Sequence, residues 1–152
     1  MIQRKQSVFL LLAAIAALVC LMMPVGVFSP ERLGVDSVMY NLFVKDGNGV
    51  ADYMSAPLFV VMFAGMALSV ATIFLYGNRK LQIKLCSWNI FLVVVWYAAY
   101  AAVAFTFSGS AGCSFKPQFG AVLPLVVLVL VVMARNGVKA DEALIRAADR
   151  IR

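Results

Sequence analysis

The side chains that could do chemistry are few, and their spacing suits none of the common reactions. Histidine is absent, and the three cysteines, Cys20, Cys86 and Cys113, show no C-x-x-C spacing, so neither a zinc site nor a disulfide framework is indicated. A membrane thiol oxidoreductase needs paired cysteines at one face, and only Cys113 lies clearly outside the apolar runs. Asp46, Asn48 and Asp52 are spaced as in a calcium loop. However, Val50 and Pro57 occupy the positions where that loop needs an oxygen ligand and a glutamate. Asp36, Asp46 and Asp52 have no base or metal partner at a recognisable distance in the chain. Ser110-Ala111-Gly112-Cys113 resembles a lipoprotein cleavage site, but it follows the third apolar run rather than the first and has serine in place of leucine three residues before the cysteine. No catalytic, cofactor-binding or metal-binding residue is therefore assigned, and the chain is expected not to be an enzyme.

The elements around these residues are mostly apolar. Of 152 residues, 64% are hydrophobic and 13% charged, against about 45–50% and about 25% in soluble domains. So small a chain cannot hide that much apolar surface in a water-soluble core, which makes the lipid bilayer its expected surroundings. The net charge of +6 does not indicate nucleic acid, because the cations cluster beside apolar runs, where they orient membrane proteins.

Four spans are expected, at about 8–28, 56–76, 85–107 and 117–134. Val8 to Phe28 holds no charge over 21 residues, about 31 Å of helix, enough to cross a hydrocarbon core. It exceeds a signal-peptide core and lacks an A-x-A-like site, so an uncleaved span is favoured. Between spans one and two, alternation over Val38–Val44 ahead of Asp46-Gly47-Asn48-Gly49 fits a small hairpin on the membrane surface, and a short helix over Asp36–Phe43 fits equally well. Ser55 is placed as the N-cap of span two, with Pro57 in its first turn. Small residues at Gly65/Ser69, at Ala67/Ala71 and at Ala98/Ala101/Ala102 offer faces for close helix packing. Asn89, the most polar residue in any span, is expected to bond across to a neighbouring helix. Pro124 kinks span four or marks its outer turn, and Val126–Val132 is expected to face lipid. Gly137 breaks or loosens the helix before a tail, residues 135–152, whose acids precede its arginines as a helix dipole favours.

Charge counting sets the orientation. With both termini and the Gly77–Lys84 turn on one side, that side holds ten cations and three acids, and the other holds three cations and four acids. The split of +7 and −1 places both termini in the cytoplasm. The expected architecture is an all-α membrane protein, four transmembrane helices in an antiparallel up-and-down bundle plus a short cytoplasmic C-terminal amphipathic helix.

Three stretches carry a resemblance: Met1-Ile2-Gln3-Arg4 with Gln6, Asn78 to Cys86 with Asn89, and Asp141-Glu142-Ala143-Leu144-Ile145-Arg146 leading to Asp149-Arg150-Ile151-Arg152. In this order around four apolar runs they resemble a family of small four-span inner-membrane proteins of Bacteroidota, a domain of unknown function (domain of unknown function 4293). The resemblance implies a bacterial inner membrane and brings no activity. It singles out a cytoplasmic interaction face of Gln3, Arg4, Arg79, Lys80, Gln82, Lys84, Asp141, Glu142, Arg146, Asp149 and Arg150. Arg4 and Arg79 are candidates to pair with Asp141, Glu142 or Asp149.

The spans hold no ionisable Asp, Glu, Lys, Arg or His, which ion-coupled transport and proton relays need. The expected role is therefore a non-catalytic accessory or scaffold protein, its partners the bilayer and a membrane protein or a second copy. The alternative is a carrier or binding protein for a small apolar molecule or lipid, with Ser69, Thr72, Ser87 and Asn89 lining a weakly polar cavity.

Overall fold

The computed structural model describes residues 3–30, 34–75, 77–111 and 113–149. Four helices, α1 (Gln3–Met22), α2 (Ala56–Phe74), α3 (Arg79–Ala111) and α4 (Leu123–Asp149), are joined to a small antiparallel sheet. Its strands are β1 (Gly26–Pro30), β2 (Ser37–Met39), β3 (Val44–Lys45), β4 (Ala51–Asp52) and β5 (Cys113–Pro117), in the order β4-β3-β2-β1-β5. The expectation of a purely helical chain is thus corrected. α1 packs against α2 and α4, and α3 against the same two, closing a ring.

Each helix turns one narrow row inward: Gln6, Leu10, Ala13, Ala17 and Cys20 in α1; Leu58, Met62, Gly65, Ser69 and Thr72 in α2; Gln82, Cys86, Asn89, Val93 and Trp96 in α3; Val127, Val131, Ala134 and Val138 in α4. Steps of four and three recur in every row, the 3.5-residue period of left-handed helix packing with crossings near 20°. The outward faces carry Leu11, Ile15, Leu18, Val60, Phe63, Phe91, Val94, Leu125 and Val129, all exposed. Five polar side chains, Gln6, Ser69, Thr72, Gln82 and Asn89, sit among apolar ones inside, and the outward faces carry the large apolar residues that a soluble protein would bury. α2, α3 and α4, with their flanking turns, are long and apolar enough to cross a membrane, and the apolar part of α1, Gln6–Met22, is shorter.

Several element boundaries differ from expectation, each for a local reason. The first helix stops at Met22 rather than Phe28, because Pro24 removes a donor and biases Met23 away from helix. The next free donor, Val25 N–H, bonds Met39 O at 2.8 Å, and the chain continues as β1. Here β1 pairs with β2 on one side and with β5 on the other, Gly26 opposite Pro117 and Pro30 opposite Cys113. Phe28 is fully buried against Phe107 and Phe115, with ring centroids 4.5 and 4.9 Å away. The Asp36–Phe43 helix does not form; Ser37–Lys45 is a hairpin closed by Tyr40 N–H to Phe43 O at 2.8 Å. The Asp46–Gly49 turn joins β3 to β4, with Gly49 at φ +84°. Ser55 is the N-cap of α2 with Pro57 in its first turn, as expected, although its hydroxyl makes no cap bond; Asp52 caps the preceding 3-10 turn, Tyr53–Ser55, accepting from Met54 N–H at 3.1 Å.

α3 begins at Arg79, six residues before the expected span, so Arg79–Lys84 are its first turns and not a loop. Asn78 starts it, its Oδ1 accepting Leu81 N–H at 3.4 Å and its carbonyl accepting Gln82 N–H at 3.1 Å. Pro124 falls in the first turn of α4, after a 3-10 turn at Phe119–Val122, and does not kink it. α4 then runs unbroken through Gly137, so the described part of the tail is its continuation rather than a separate helix. A Cβ at Gly137 would lie 3.0 Å from Gln6 Cγ; the small residue admits α1. The Val126–Val132 run is not uniformly lipid-facing, since Val127 and Val131 are buried.

Two outcomes test this arrangement. A Cβ at Gly120 would lie 2.3 Å from Pro24 O, backbone that cannot swing aside. Gly120→Ala is expected to cost about 1–3 kcal/mol and to lower the thermal midpoint in detergent; an unchanged midpoint contradicts the contact. At the outer turn, the Ser37 hydroxyl donates to Asp46 Oδ1 at 3.0 Å and holds the exposed Asp46 carboxyl below its ordinary value, helped by the Gly47 N–H. A lowered folded value means that this stabilisation is present above the unfolded value of about 3.9 and is lost as pH falls through the folded one. Ser37→Ala should therefore destabilise at neutral pH, with the gap to wild type closing as pH drops below about 4; a pH-independent gap would exclude the ionic contribution.

Candidate functional site

Two groups of polar residues stand out: a row inside the helical ring and a cationic rim at the end away from the sheet. The interior row has the form expected of helices in lipid, which gain little from apolar contact and associate through small residues and interhelical hydrogen bonds. Gly65 lets α3 approach α2, and Asn89 Nδ2 donates to Gly65 O at 3.0 Å and to Ser69 Oγ at 2.6 Å. The expected interhelical role of Asn89 and the Gly65/Ser69 face are thus observed, whereas Ala67, Ala98 and Ala102 are exposed. Gln82 Nε2 donates to Thr72 O at 3.0 Å. Gln6 Nε2 donates to Asp141 Oδ2 at 2.5 Å, tying α1 to α4.

At the sheet end a third cluster joins three elements. Asn41 Nδ2 donates to Cys20 O at 2.7 Å, and Trp96 Nε1 donates to Asn41 Oδ1 at 3.0 Å. Cys20 Sγ donates to Gly120 O at 3.4 Å. The Tyr97 and Tyr100 hydroxyls donate to Ala121 O and Val25 O at 2.9 and 2.8 Å. Trp96 is fully buried, its ring stacked 5.1 Å from Tyr100.

These contacts leave little room. Ser69, Thr72 and Ser87 each turn their hydroxyls back onto the carbonyl four residues earlier, of Gly65, Leu68 and Ile83. Among the described residues, the interior void beside Asn89 is about 10 Å³, walled by Met62, Gly65, Val93, Trp96 and Val127. Asn89 Oδ1 is buried there without a hydrogen-bond partner. A void of that size holds about one water.

The rim is where the expected interaction face falls, and the structure divides it. Lys80 and Lys84 are exposed, Arg79 is half-buried, and Asp141 and Glu142 are half-buried on α4. Gln82 is not a surface residue; it is buried in its bond to Thr72. Asp141 accepts from Gln6 and not from Arg79, so that expected ion pair is replaced by an amide contact. Gln3 and Arg4 lie in α1, and Arg146 and Asp149 in α4, but their side chains fall outside the described residues, as does all of Arg150; the expected Arg4 pairing falls there too. Arg79 Nη1 and Arg135 Nε are buried and have no hydrogen-bond partner.

Arg135 was legible only as a cation of the tail. Its position one residue from Ala134 on the inward row of α4 is the signal that brings its Nε into the packed rim. Asn41 had no signal beyond alternation with Leu42. The arrangement offers hydrogen-bond donors and positive charge at one end and neutral amides within. Among the described residues no three His, Cys, Asp or Glu gather where they could hold a metal, and no disulfide joins Cys20, Cys86 or Cys113.

Asn41→Leu would strand the buried Trp96 N–H and Cys20 carbonyl. A loss of about 1–3 kcal/mol is expected, with a shift in Trp96 fluorescence that Trp88 does not share; retention of wild-type stability would contradict the contact.

No curated protein matches the chain. A family model described as "Domain of unknown function (DUF4293)" matches residues 2–151. Nearly the whole chain is covered, and the protein belongs to this family.

Proposed function

We propose that the protein is a non-catalytic accessory or scaffold protein of a bacterial inner membrane, crossing it four times as an antiparallel bundle with both termini in the cytoplasm. The observation that carries the accessory role is the pair of buried, unpartnered donors at the rim, Arg79 Nη1 and Arg135 Nε. A buried cationic N–H without an acceptor is costly, and a carboxylate or carbonyl from an acidic cytoplasmic segment of a membrane protein would supply one. α3 and α4 carry these arginines on a frame whose interior amide donors, on Gln6, Gln82 and Asn89, are engaged within the bundle. The void of about 10 Å³ beside Asn89 disfavours a carrier cavity lined by Ser69, Thr72 and Asn89, since it is far below the roughly 300 Å³ of a small-ligand pocket.

The fourth crossing rests on α1. Its Gln6 bonds Asp141 near one end of α4 and its Cys20 bonds Gly120 just beyond the other. These two contacts, at opposite ends of α1, support its running alongside the apolar part of α4 although its own apolar part is shorter. The charge excess on the rim side supports its cytoplasmic placement.

Photo-crosslinking in cells from a probe at Lys139, an exposed rim position, tests the reading. The expected result is one stoichiometric adduct, with a membrane protein or a second copy, that weakens at least fivefold when Arg79→Gln and Arg135→Gln are combined. No stoichiometric partner by crosslinking or by pull-down in mild detergent, or an adduct indifferent to both arginines, would overturn it.

A further inference from the structure

Opposite the buried row of α3 lies a face with a different composition. Lys80, Lys84, Ser87 and Phe91 follow at helical spacing, with Ile83 and Trp88 on either side. Ile83, Lys84, Ser87, Trp88 and Phe91 line an open groove of about 410 Å³. Trp88 and Phe91 are exposed, at 60% and 55%, and meet edge to face with centroids 5.8 Å apart. This pair forms a firm apolar wall. The Ser87 hydroxyl is turned onto Ile83 O at 2.8 Å, so the deeper part of the groove presents little polarity.

The two lysines lie at the end of α3 nearest the rim, exposed, one and two turns before the tryptophan. Helical side chains lean toward the N-terminus, so both ammonium groups point out of the apolar layer, in the manner of snorkelling lysines. Tryptophan favours the headgroup level. The groove therefore reads from water inward as two cations, an interfacial indole and an apolar wall.

We infer that this face of α3 is a binding site for an anionic phospholipid of the leaflet on the rim side. Lys80 and Lys84 hold the phosphate, the glycerol region lies beside Trp88, and an acyl chain runs along Phe91. Charge complementarity selects this occupant over a zwitterionic lipid. Each lysine near an anionic surface contributes about fivefold in relative affinity, which is about 1 kcal/mol. A second copy of the chain would place the same four positive charges of two lysine pairs against each other. The inference rests on α3 crossing a membrane.

Bromine-labelled lipids test it, because bromine quenches tryptophan only at contact and the other tryptophan, Trp96, is fully buried. The full chain is placed in zwitterionic vesicles containing a few mole per cent of labelled phosphatidylglycerol or labelled phosphatidylcholine, with Trp88→Phe as the blank. Trp88 quenching by the anionic lipid should exceed that by the zwitterionic one several-fold, and Lys80→Gln with Lys84→Gln should bring the two to parity. Equal quenching in the wild type, a preference that survives both substitutions, or quenching by neither lipid because protein covers the face, would each overturn the site. Failure of the chain to float with the vesicles would instead sink the membrane reading on which the site depends.

Discussion

The pairing of β1 with β5 is the constraint on which the rest of the structure depends. It joins the segment after α1 to the segment after α3, Val27 opposite Lys116 and Phe28 opposite Phe115. Once these two segments share a ladder, the ends of both helices must lie on one side. Their starts, Gln6 and Arg79, must then lie on the other. The ladder is secured from below: Tyr100 donates to Val25 O, Phe28 inserts between Phe107 and Phe115, and Trp96 holds Asn41 beneath β2 and β3. A short first helix is tolerable because the sheet continues its packing where the helix stops. Cys20, Val25, Phe28, Met39 and Trp96 belong to one continuous core.

On the proposed placement the helical ring lies in an apolar solvent. No hydrophobic force favours helix contact in lipid, so backbone approach at Gly65 and amide bonds from Gln6, Gln82 and Asn89 would supply the association. Each such bond is modest, on the order of 1 kcal/mol, but an unmade one in that setting leaves a bare polar group. This accounts for small and amide residues on the inward rows of α1, α2 and α3 and for the large apolar residues exposed on the outward faces. It also explains why the interior is closed and the open chemistry sits at the ends. The rim carries the donors and charge, and the sheet forms the opposite surface.

Much of the helical part was legible because long uncharged runs have one physical meaning. The Gly65/Ser69 face and the Asn89 bond could be read from residue size and polarity alone. The sheet was only half legible. Alternation over Val38–Val44 and the D-G/N-G turn indicate a hairpin, but β5 is a five-residue stretch, Cys113–Pro117, whose partner lies more than eighty residues away, and no local pattern announces that. Pro24 carries the signal of a helix stop, but the apolar run continues through Phe28, and a buried strand and a buried helix look alike by hydropathy. Arg79–Lys84 read as a loop because charge ends an apolar run, whereas a helix simply continues into water. Gly137 read as a break because a glycine's propensity is visible and the Gln6 side chain that needs the space is not.

The proposed placement of sheet and rim on opposite sides of a bilayer can be measured directly. In a background of Cys113→Ser, with Cys20 and Cys86 buried, single cysteines at Asn48 in the β3–β4 turn and at Asn78 before α3 would be challenged with a membrane-impermeant thiol reagent in intact cells. Labelling of Asn48→Cys before permeabilisation and of Asn78→Cys only after it is the expected result. Labelling of both from one side would contradict it.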